Sequence, residues 1–332
     1  MANRLRISVV IPLYNKARWI RRALDSVAAQ SFADFEVLVV DDGSTDGGAR
    51  IVADYGAPRF RVIEQRNAGP GAARNRGISE AKGDLVAFLD ADDEWLPNYL
   101  ADSLHLLDAF GDSVASVSSG YFEHPSGISR EPMWRARGIV EGPCRLNPDT
   151  PPMAVVYRLA YMSAWSTVVR AGILRKWGGF YDSNQCLFAE DSNLWIKILL
   201  NETVAFHLSP LVRFHTEASE LSGNLHGARP VEPFLQDPSE IEEVSPPHLQ
   251  NLLSSVLAIR AFKTACVLGY WGRWREARLL RKRFSRRGDW KLPYYLPAQI
   301  CSTPAGGVLG QLGRSLKRFV PTTECVLGGS LL

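Results

Sequence analysis

The sequence predicts an α/β fold, a mostly parallel sheet flanked by helices and followed by a C-terminal helical region. Short apolar runs rich in Val and Ile, "ISVVIPLY", "FEVLVV", "FRVIEQ" and "DLVAFL", recur through the first 90 residues and are bounded by Gly, Asp and Asn. Runs of that length and composition mark buried strands. Helix-period segments alternate with them, and strand–helix alternation closes into a parallel sheet covered on both faces.

Each element follows from its own residues. Between the first two strands Ile20, Leu24, Val27 and Ala28 fall on one helical face. "DDGSTDGGARIVADY" reads as a loop and a helix, and a helix carrying Leu100, Leu104 and Leu107 follows "WLP", with Pro97 in its first turn. "SVASVSSGYFE" is strand-like, and the Pro-, Arg- and Gly-rich stretch 125–152 reads as irregular. Structure resumes at "AVVYRLAYMSAW", and Leu194, Ile198 and Leu199 make one more helical face. Residues 226–248, with several Pro and Glu, read as a linker between a domain over 1–225 and a helical region over 249–332 whose last forty residues are irregular.

Composition narrows the function. The 332 residues are 46% hydrophobic and 22% charged, the mix of a globular protein with a sizeable core. A net charge of +3, with no basic stripe interleaved with aromatics in the first 200 residues, argues against nucleic acid as a partner. The five cysteines, Cys144, Cys186, Cys266, Cys301 and Cys325, are odd in number and widely spaced, which fits a reducing compartment better than a disulfide framework. The apolar start "ISVVIPLYN" is short and broken by Pro12 and Asn15, and no stretch of about 18 uncharged apolar residues occurs. The expectation is a cytoplasmic protein.

The chemistry gathers where the strands end. In open parallel sheets ligands lie beyond the carboxyl ends of the strands, and here those ends carry Tyr14 and Asn15, Asp41 and Asp42, and the acidic run "LDADDE". Asp42 either accepts a nucleobase N–H or ribose hydroxyl, or belongs to an Asx-type turn in which Asp46 caps the next helix. In "NAGPGAARNRG" the glycines permit close backbone approach and Arg74 lies early in a helix whose start favours anions; the alternative is a Gly-rich loop before a surface helix. Asp90 and Asp92, two apart on an extended segment, share a side, and with diphosphate oxygens they suit Mn²⁺ or Mg²⁺. Asp93 and Glu94 are as well explained as acids offsetting the dipole of the next helix.

In order, "SVVIPLYNKARWIRRALDSVAAQSFADFEVLVVDDGSTD", "NAGPGAARNRGI" and "GDLVAFLDADDEWLP" closely resemble the family 2 glycosyltransferases of the Rossmann-like GT-A fold, densely over residues 6–105 and loosely to about 220. That resemblance implies an inverting transfer from a nucleotide-diphosphate sugar. It places Pro12, Tyr14 and Asn15 around the nucleoside, makes Asp42 the reader of the base and sets Arg74 near the diphosphate. Asp90 and Asp92 match the family's DxD element, with Asp92 on the metal and Asp90 nearer the ribose. "GGFYDSNQCLFAEDSNLW" looks like the acceptor-side segment, in which Asp191 is the general base with Glu190 beside it. His215 sits where relatives carry a histidine near the diphosphate and metal, although Phe214 separates it from Arg213. Trp165 and Trp177 either stack on sugar rings or pack in the core.

The reading is a metal-dependent hexosyltransferase-type enzyme, with a UDP-sugar favoured as donor and a hydroxyl of a glycan or lipid-linked glycan as acceptor, in bacterial polysaccharide biosynthesis. A sugar nucleotidyltransferase would want a Gly-rich basic loop straight after the first strand, which "PLYNKARW" lacks; a catalytically silent nucleotide-sugar or glycan-binding scaffold would not depend on Asp191. Residues 273–287 carry many Lys and Arg around Trp274, Ala277, Leu280 and Phe284 at helical spacing. Such a helix either rests on an anionic membrane, making the protein peripheral at its inner face, or docks its apolar stripe on the catalytic domain.

Overall fold

A computed structural model describes residues 6–218, 229–286 and 288–317. The chain opens with β1 (Ile7–Leu13), α1 (Ala17–Ala28), β2 (Phe35–Asp41), α2 (Gly48–Asp54), β3 (Phe60–Glu64), α3 (Pro70–Glu80) and β4 (Leu85–Phe88). There follow β5 (Glu94–Trp95), α4 (Tyr99–Phe110), β6 (Val114–His124), β7 (Ile128–Ser129), α5 (Glu131–Ala136) and β8 (Gly142–Cys144). Then come α6 (Pro152–Tyr161), β9 (Thr167–Arg170), α7 (Ala171–Lys176), α8 (Glu190–Asn201) and β10 (Thr203–His215).

The strands form one sheet in the order β3-β2-β1-β4-β9-β6-β10-β5, with β7 on β6 and β8 on β10. β3, β2, β1 and β4 are mutually parallel, as the alternation of short apolar runs and helices requires. β9 runs antiparallel between β4 and β6, and β6 and β10 are parallel again, so the sheet is mixed. Val9, Val10 and Ile11 in β1 and Val37 to Val40 in β2 are fully buried, which is why these strands read as continuous apolar runs. α1 buries Ile20, Ala23, Leu24 and Val27; Ala23 takes the place expected for Ala28, which is exposed.

Several expectations about boundaries change. The stretch 125–152, read as irregular, holds β7, α5 and β8. α4 begins at Tyr99 with Asn98 at its cap, so Pro97 precedes the helix, and the "EW" before it is a two-residue strand against Val212 and Arg213. The stretch read as a linker holds helices Pro233–Gln236 and Ser239–Val244, with Phe234, Leu235 and Ile241 fully buried among its Pro and Glu residues. The expected boundary at 225 lies outside the described residues. The chain divides into two compact units: Met1–Asn147, Tyr157–Asn224 and Ser239–Pro246 form one, and Pro148–Val156, Leu225–Pro238 and Pro247–Leu332 the other. Helix Ser239–Val244 belongs to the first unit, where Glu240 meets the buried Lys197 at 2.7 Å.

The second unit is built around helix Gln250–Tyr270, packed by helices Trp274–Phe284, Tyr295–Cys301 and Pro304–Lys317; the last two correct the expectation of an irregular tail as far as residue 317, beyond which it lies outside the described residues. It is the one helix among the described residues long and apolar enough to cross a membrane, but 67% of its apolar window is buried. Its Arg260 pairs with Glu232 at 3.1 Å and Thr264 donates to the same carboxylate at 2.8 Å, which fixes the helix within its unit. In Trp274–Phe284, Ala277 and Leu280 of the apolar stripe are buried and thus used within the helical unit.

α3 lies close on β1 because residue 77 is glycine: a Cβ there would stand 2.3 Å from Val10 Cγ1. Gly77→Ala should cost about 1–3 kcal/mol by overpacking, read as a lower urea midpoint; a midpoint at or above that of the natural chain would show that Val10 moves aside freely.

Candidate active site

The parallel strands β2, β1 and β4 end on one edge of the sheet, and the first layer of the site is backbone locked by short polar side chains. Asn15, in the left-handed region at φ 51°, accepts the Thr45 N–H at 2.8 Å, while its own N–H donates to Ser44 Oγ at 3.1 Å. Asp46 accepts from Ala17 N–H at 2.7 Å and Gly48 N–H at 3.0 Å, so one carboxylate serves the starts of α1 and α2. Pro12 lies at this edge and the Tyr14 ring is half exposed there.

Asp42 is buried and heavily engaged. It accepts from Gln65 Nε2, Ala68 N–H and Gly69 N–H, each at 2.8 Å, which fixes the loop entering α3. That uses three of the roughly four acceptor positions of a carboxylate. Among the described residues the Asp41 carboxylate accepts the Ser44 N–H, at 3.1 Å, and is the less committed acid at this strand end.

The centre of the site is Arg74. One guanidinium nitrogen donates to Glu190 Oε1 and another to Asp90 Oδ1, both at 2.7 Å, and the group lies 5.3 Å from the Phe180 ring. Its Nε is buried without a partner. Burial opposes the charge, but Asp90 and Glu190 more than offset it and hold the guanidinium protonated. Arg74 therefore joins the end of β4 to the start of α8. Local sequence makes this possible: a Cβ on residue 71 would meet the Tyr181 carbonyl oxygen at 2.2 Å, so glycine lets α3 touch that backbone. Asn75 clamps Phe180, donating to its carbonyl and accepting its N–H, each at 2.8 Å.

Asp191 lies in the first turn of α8, after Ala189 in the left-handed region at φ 58°. Trp195 Nε1 donates to its Oδ2 at 3.3 Å. Burial raises the Asp191 pKa, with Arg74 acting against it and Asp90 adding to it. Glu190 is also raised, chiefly by burial and against Arg74. Asp191 is the second residue of α8, with Ala189 at the cap position.

Each acid of the run 90–94 has its own partner. Asp92 meets Lys16 Nζ at 3.0 Å, and its pKa is raised by burial and by Asp90 against that ammonium. Asp93 is buried, accepts the His215 N–H at 2.8 Å, and is raised well above the usual range by burial and then by Asp92 and Asp90. Glu94 lies 2.6 Å from His215 Nε2. The expectation that Asp93 and Glu94 stabilise the next helix is thus corrected: both hold β10, because β5 intervenes before α4.

His215 is brought to this edge by the far end of β10, with Nδ1 2.8 Å from Glu217 Oε1. His124 Nδ1 approaches the same oxygen at 3.3 Å, and the ligand atoms of His124, His215 and Glu217 lie within 4.8 Å of one another. Partial burial raises Glu217, but hydrogen bonds from His215 and His124 outweigh it and hold its pKa below the usual value. Sequence reasoning missed Lys16 and Arg22. Arg22 donates to the Asp92 carbonyl and stands 3.6 Å from Glu94 and 3.8 Å from Glu217. The available signal was position: Lys16 follows the strand end directly and Arg22 begins the second turn of α1. Trp165 stacks on Phe214 at 5.4 Å and Trp177 donates to Glu202 at 3.0 Å, so both have structural partners.

The donor set at this edge, Asp90 and Asp92 with further acids behind, is hard oxygen held in excess of its cations. That fits Mg²⁺ or Mn²⁺ completed by phosphate oxygens.

A mixed sheet with this acidic parallel edge defines a GT-A glycosyltransferase fold. Residues 8–162 match Glycosyl transferase family 2, and the chain carries a family 2 glycosyltransferase domain. An uncharacterized glycosyltransferase of Nostoc sp. is 44% identical over 99 residues, covering 29% of this chain and 31% of that protein. The uncharacterized glycosyltransferase YibD of Escherichia coli is 32% identical over 178 residues, 52% of this chain and 48% of its own length. The match thus spans less than half the length of either relative. Among solved structures, S. aureus TarS 1-349 in complex with UDP-GlcNAc is similar at TM-score 0.66 and 20% identity, covering 97% of this chain and 95% of that one. Mannosyltransferase PcManGT from Pyrobaculum calidifontis, in complex with GDP-Man and Mn²⁺, is similar at TM-score 0.50 and 19% identity, over 95% and 88% of the two chains.

Replacing Arg74 with Met removes the cation between two carboxylates and should destabilise the fold by about 3–5 kcal/mol, as for breaking a buried ion pair. Without Arg74 the Glu190 pKa moves further up, so the folded state binds more protons than the unfolded one between the ordinary and the raised value. The deficit should therefore shrink as pH falls and grow as it rises through that window, measured as urea midpoints at acidic and neutral pH; a deficit independent of pH would contradict the assignment.

Proposed function

We propose that the chain is a metal-dependent, inverting glycosyltransferase that moves a sugar from a nucleotide-diphosphate donor, a UDP-sugar first, to a hydroxyl of a glycan or lipid-linked glycan. The observation that carries this reading is the Arg74 bridge, which ties Asp90 on the donor edge to Glu190, next to a carboxylate whose pKa is raised. Inversion needs a base on the acceptor side of the sugar, opposite the leaving group, and a carboxylate of raised pKa suits that task.

Asp191 takes the proton of the acceptor hydroxyl as that oxygen attacks the anomeric carbon. Glu190, held by Arg74, fixes the start of α8 and so the position of Asp191. Tyr14, Asn15 and Pro12 line the nucleoside end, with Asp42 or the less engaged Asp41 reading the base N–H. Asp92 and His215 would hold a divalent cation, with Asp90 nearer the ribose; bound there, the cation neutralises charge developing on the departing diphosphate. Lys16 must release Asp92 in that state. The solved relatives in complex with UDP-GlcNAc and with GDP-Man and Mn²⁺ support the donor class and the metal. A place in bacterial polysaccharide assembly belongs to the same proposal.

Asp191→Asn should leave UDP-sugar affinity unchanged in calorimetry but lower turnover, followed as UDP release, by about 10²-fold or more. A base must be ionised to act, so the natural enzyme should lose activity as pH falls through the raised Asp191 pKa, above the ordinary ~4 of a carboxylate. The variant should lack that limb; an active variant with the same profile would remove Asp191 from the mechanism. Asp92→Ala should abolish the Mn²⁺-dependent part of UDP binding in calorimetry, and unchanged binding would remove Asp92 from the metal site.

A further inference from the structure

The helical unit carries its cations and its exposed apolar side chains on the same stretch of chain. Residues 273–317 contain eleven Lys or Arg against two acids, Glu276 and Asp289, in a chain whose net charge is only +3. Asp289 is buried and accepts the Arg286 N–H, and Glu276 is paired with Arg273 at 2.5 Å. Neither acid is left to balance Arg275, Arg278, Lys282 and Lys291, which are all exposed.

Of the ten large hydrophobic side chains that stand exposed among the described residues, six belong to this unit: Leu279, Trp290, Leu296, Ile300, Val308 and Leu309. Helix periodicity turns them outward. In Trp274–Phe284 the buried residues are Ala277 and Leu280; Leu279 stands about 200° around the helix from Ala277, flanked at one turn by Arg275 and Lys282. In Tyr295–Cys301 Ala298 is buried, while Leu296 and Ile300, four residues apart, share the outer face. Trp290, 62% exposed, lies 5.3 Å from the Lys291 ammonium.

We propose that this outer face binds an anionic lipid bilayer, with Leu279, Trp290, Leu296 and Ile300 entering the headgroup boundary and the surrounding Lys and Arg lying on lipid phosphates. The surface differs from the stripe of Trp274, Ala277, Leu280 and Phe284 that periodicity singles out, since Ala277 and Leu280 of that stripe are spent inside the unit. Water is a poor environment for exposed Trp, Leu and Ile, and a bilayer surface accepts apolar side chains and cations at once. Nucleic acid would satisfy the cations but gives no reason for exposed leucines. A second copy of the same face would bring like charges together.

The test sediments the full chain with vesicles of phosphatidylcholine alone and with vesicles in which a third of the lipid is phosphatidylglycerol. The chain should partition onto the anionic vesicles, at least about tenfold more tightly than onto neutral ones, and added salt should weaken that binding. Arg278→Glu with Lys282→Glu should reduce it by about fivefold or more per cation, and Leu296→Ser with Ile300→Ser should reduce it without changing the salt slope. All four side chains are exposed, so circular dichroism melting should match the natural chain; the lipid and salt dependence of the natural chain tests the proposal without any variant. Equal partition onto both vesicle types, or variants that leave partition unchanged, would overturn it. So would a concentration-dependent dimer that the same substitutions abolish while vesicle binding persists.

Discussion

One buried guanidinium holds the candidate site together. Arg74 is expensive to bury, and it is tolerated because Asp90 and Glu190, from segments far apart in sequence, each accept a hydrogen bond from it at 2.7 Å. The rest of α3 serves that arrangement. Gly77 brings the helix onto β1, Gly71 brings its first turn onto the Tyr181 backbone, and Asn75 fixes Phe180 beside the guanidinium. A Cβ at 71 would overlap the Tyr181 carbonyl oxygen, and one at 77 the Val10 side chain. Close packing and charge pairing are therefore one constraint.

Around that bridge the site holds more acid than base. Asp92, Asp93, Glu190 and Asp191 all have pKa values raised first by burial, and Lys16 and Arg74 only partly offset it. Carboxylates held together in this way favour either protons or an added cation. The partners differ in how readily they let go. Arg74 is a fixed fork with two short hydrogen bonds, whereas Lys16 reaches Asp92 with a flexible stem and a point charge. Asp92 is thus the acid most easily released to a divalent ion, and Asp90 remains tied to the frame.

Much of this was legible in the residues. Continuous Val and Ile runs located β1, β2 and β4 because parallel strands are buried on both faces, and the strand-end acids followed from the direction of those strands. Position 191 could be named from its motif, but not the burial that raises it. The roles of Asp93 and Glu94 were not legible, because they depend on a two-residue strand that forms only against β10, more than a hundred residues later. No local pattern announces such a pairing. The supposed linker failed for a related reason: Phe234, Leu235 and Ile241 are too few and too scattered among Pro and Glu to show a period, yet all three are buried. Lys16 and Arg22 escaped notice because a basic residue before or within a helix looks the same in sequence whether it faces solvent or a carboxylate.

The basicity of Asp191 is set by two opposing effects that the same short segment delivers. Ala189 adopts a left-handed backbone, about 1–2 kcal/mol unfavourable for a residue with a Cβ, and Asn184 and Gln185 are also at positive φ. These turns are held by the Gln185 side chain on the Asn67 carbonyl and by the Tyr181 N–H on the Glu190 carbonyl. Their effect is to start α8 immediately before Asp191, in the first turn, where the helix dipole favours an ionised carboxylate. Arg74 acts in the same direction, and burial acts against both and prevails, so the pKa ends above its ordinary value. A carboxylate left in water would be a weaker base, and one buried without the dipole and Arg74 would be raised further. The strained turn places Asp191 between those limits.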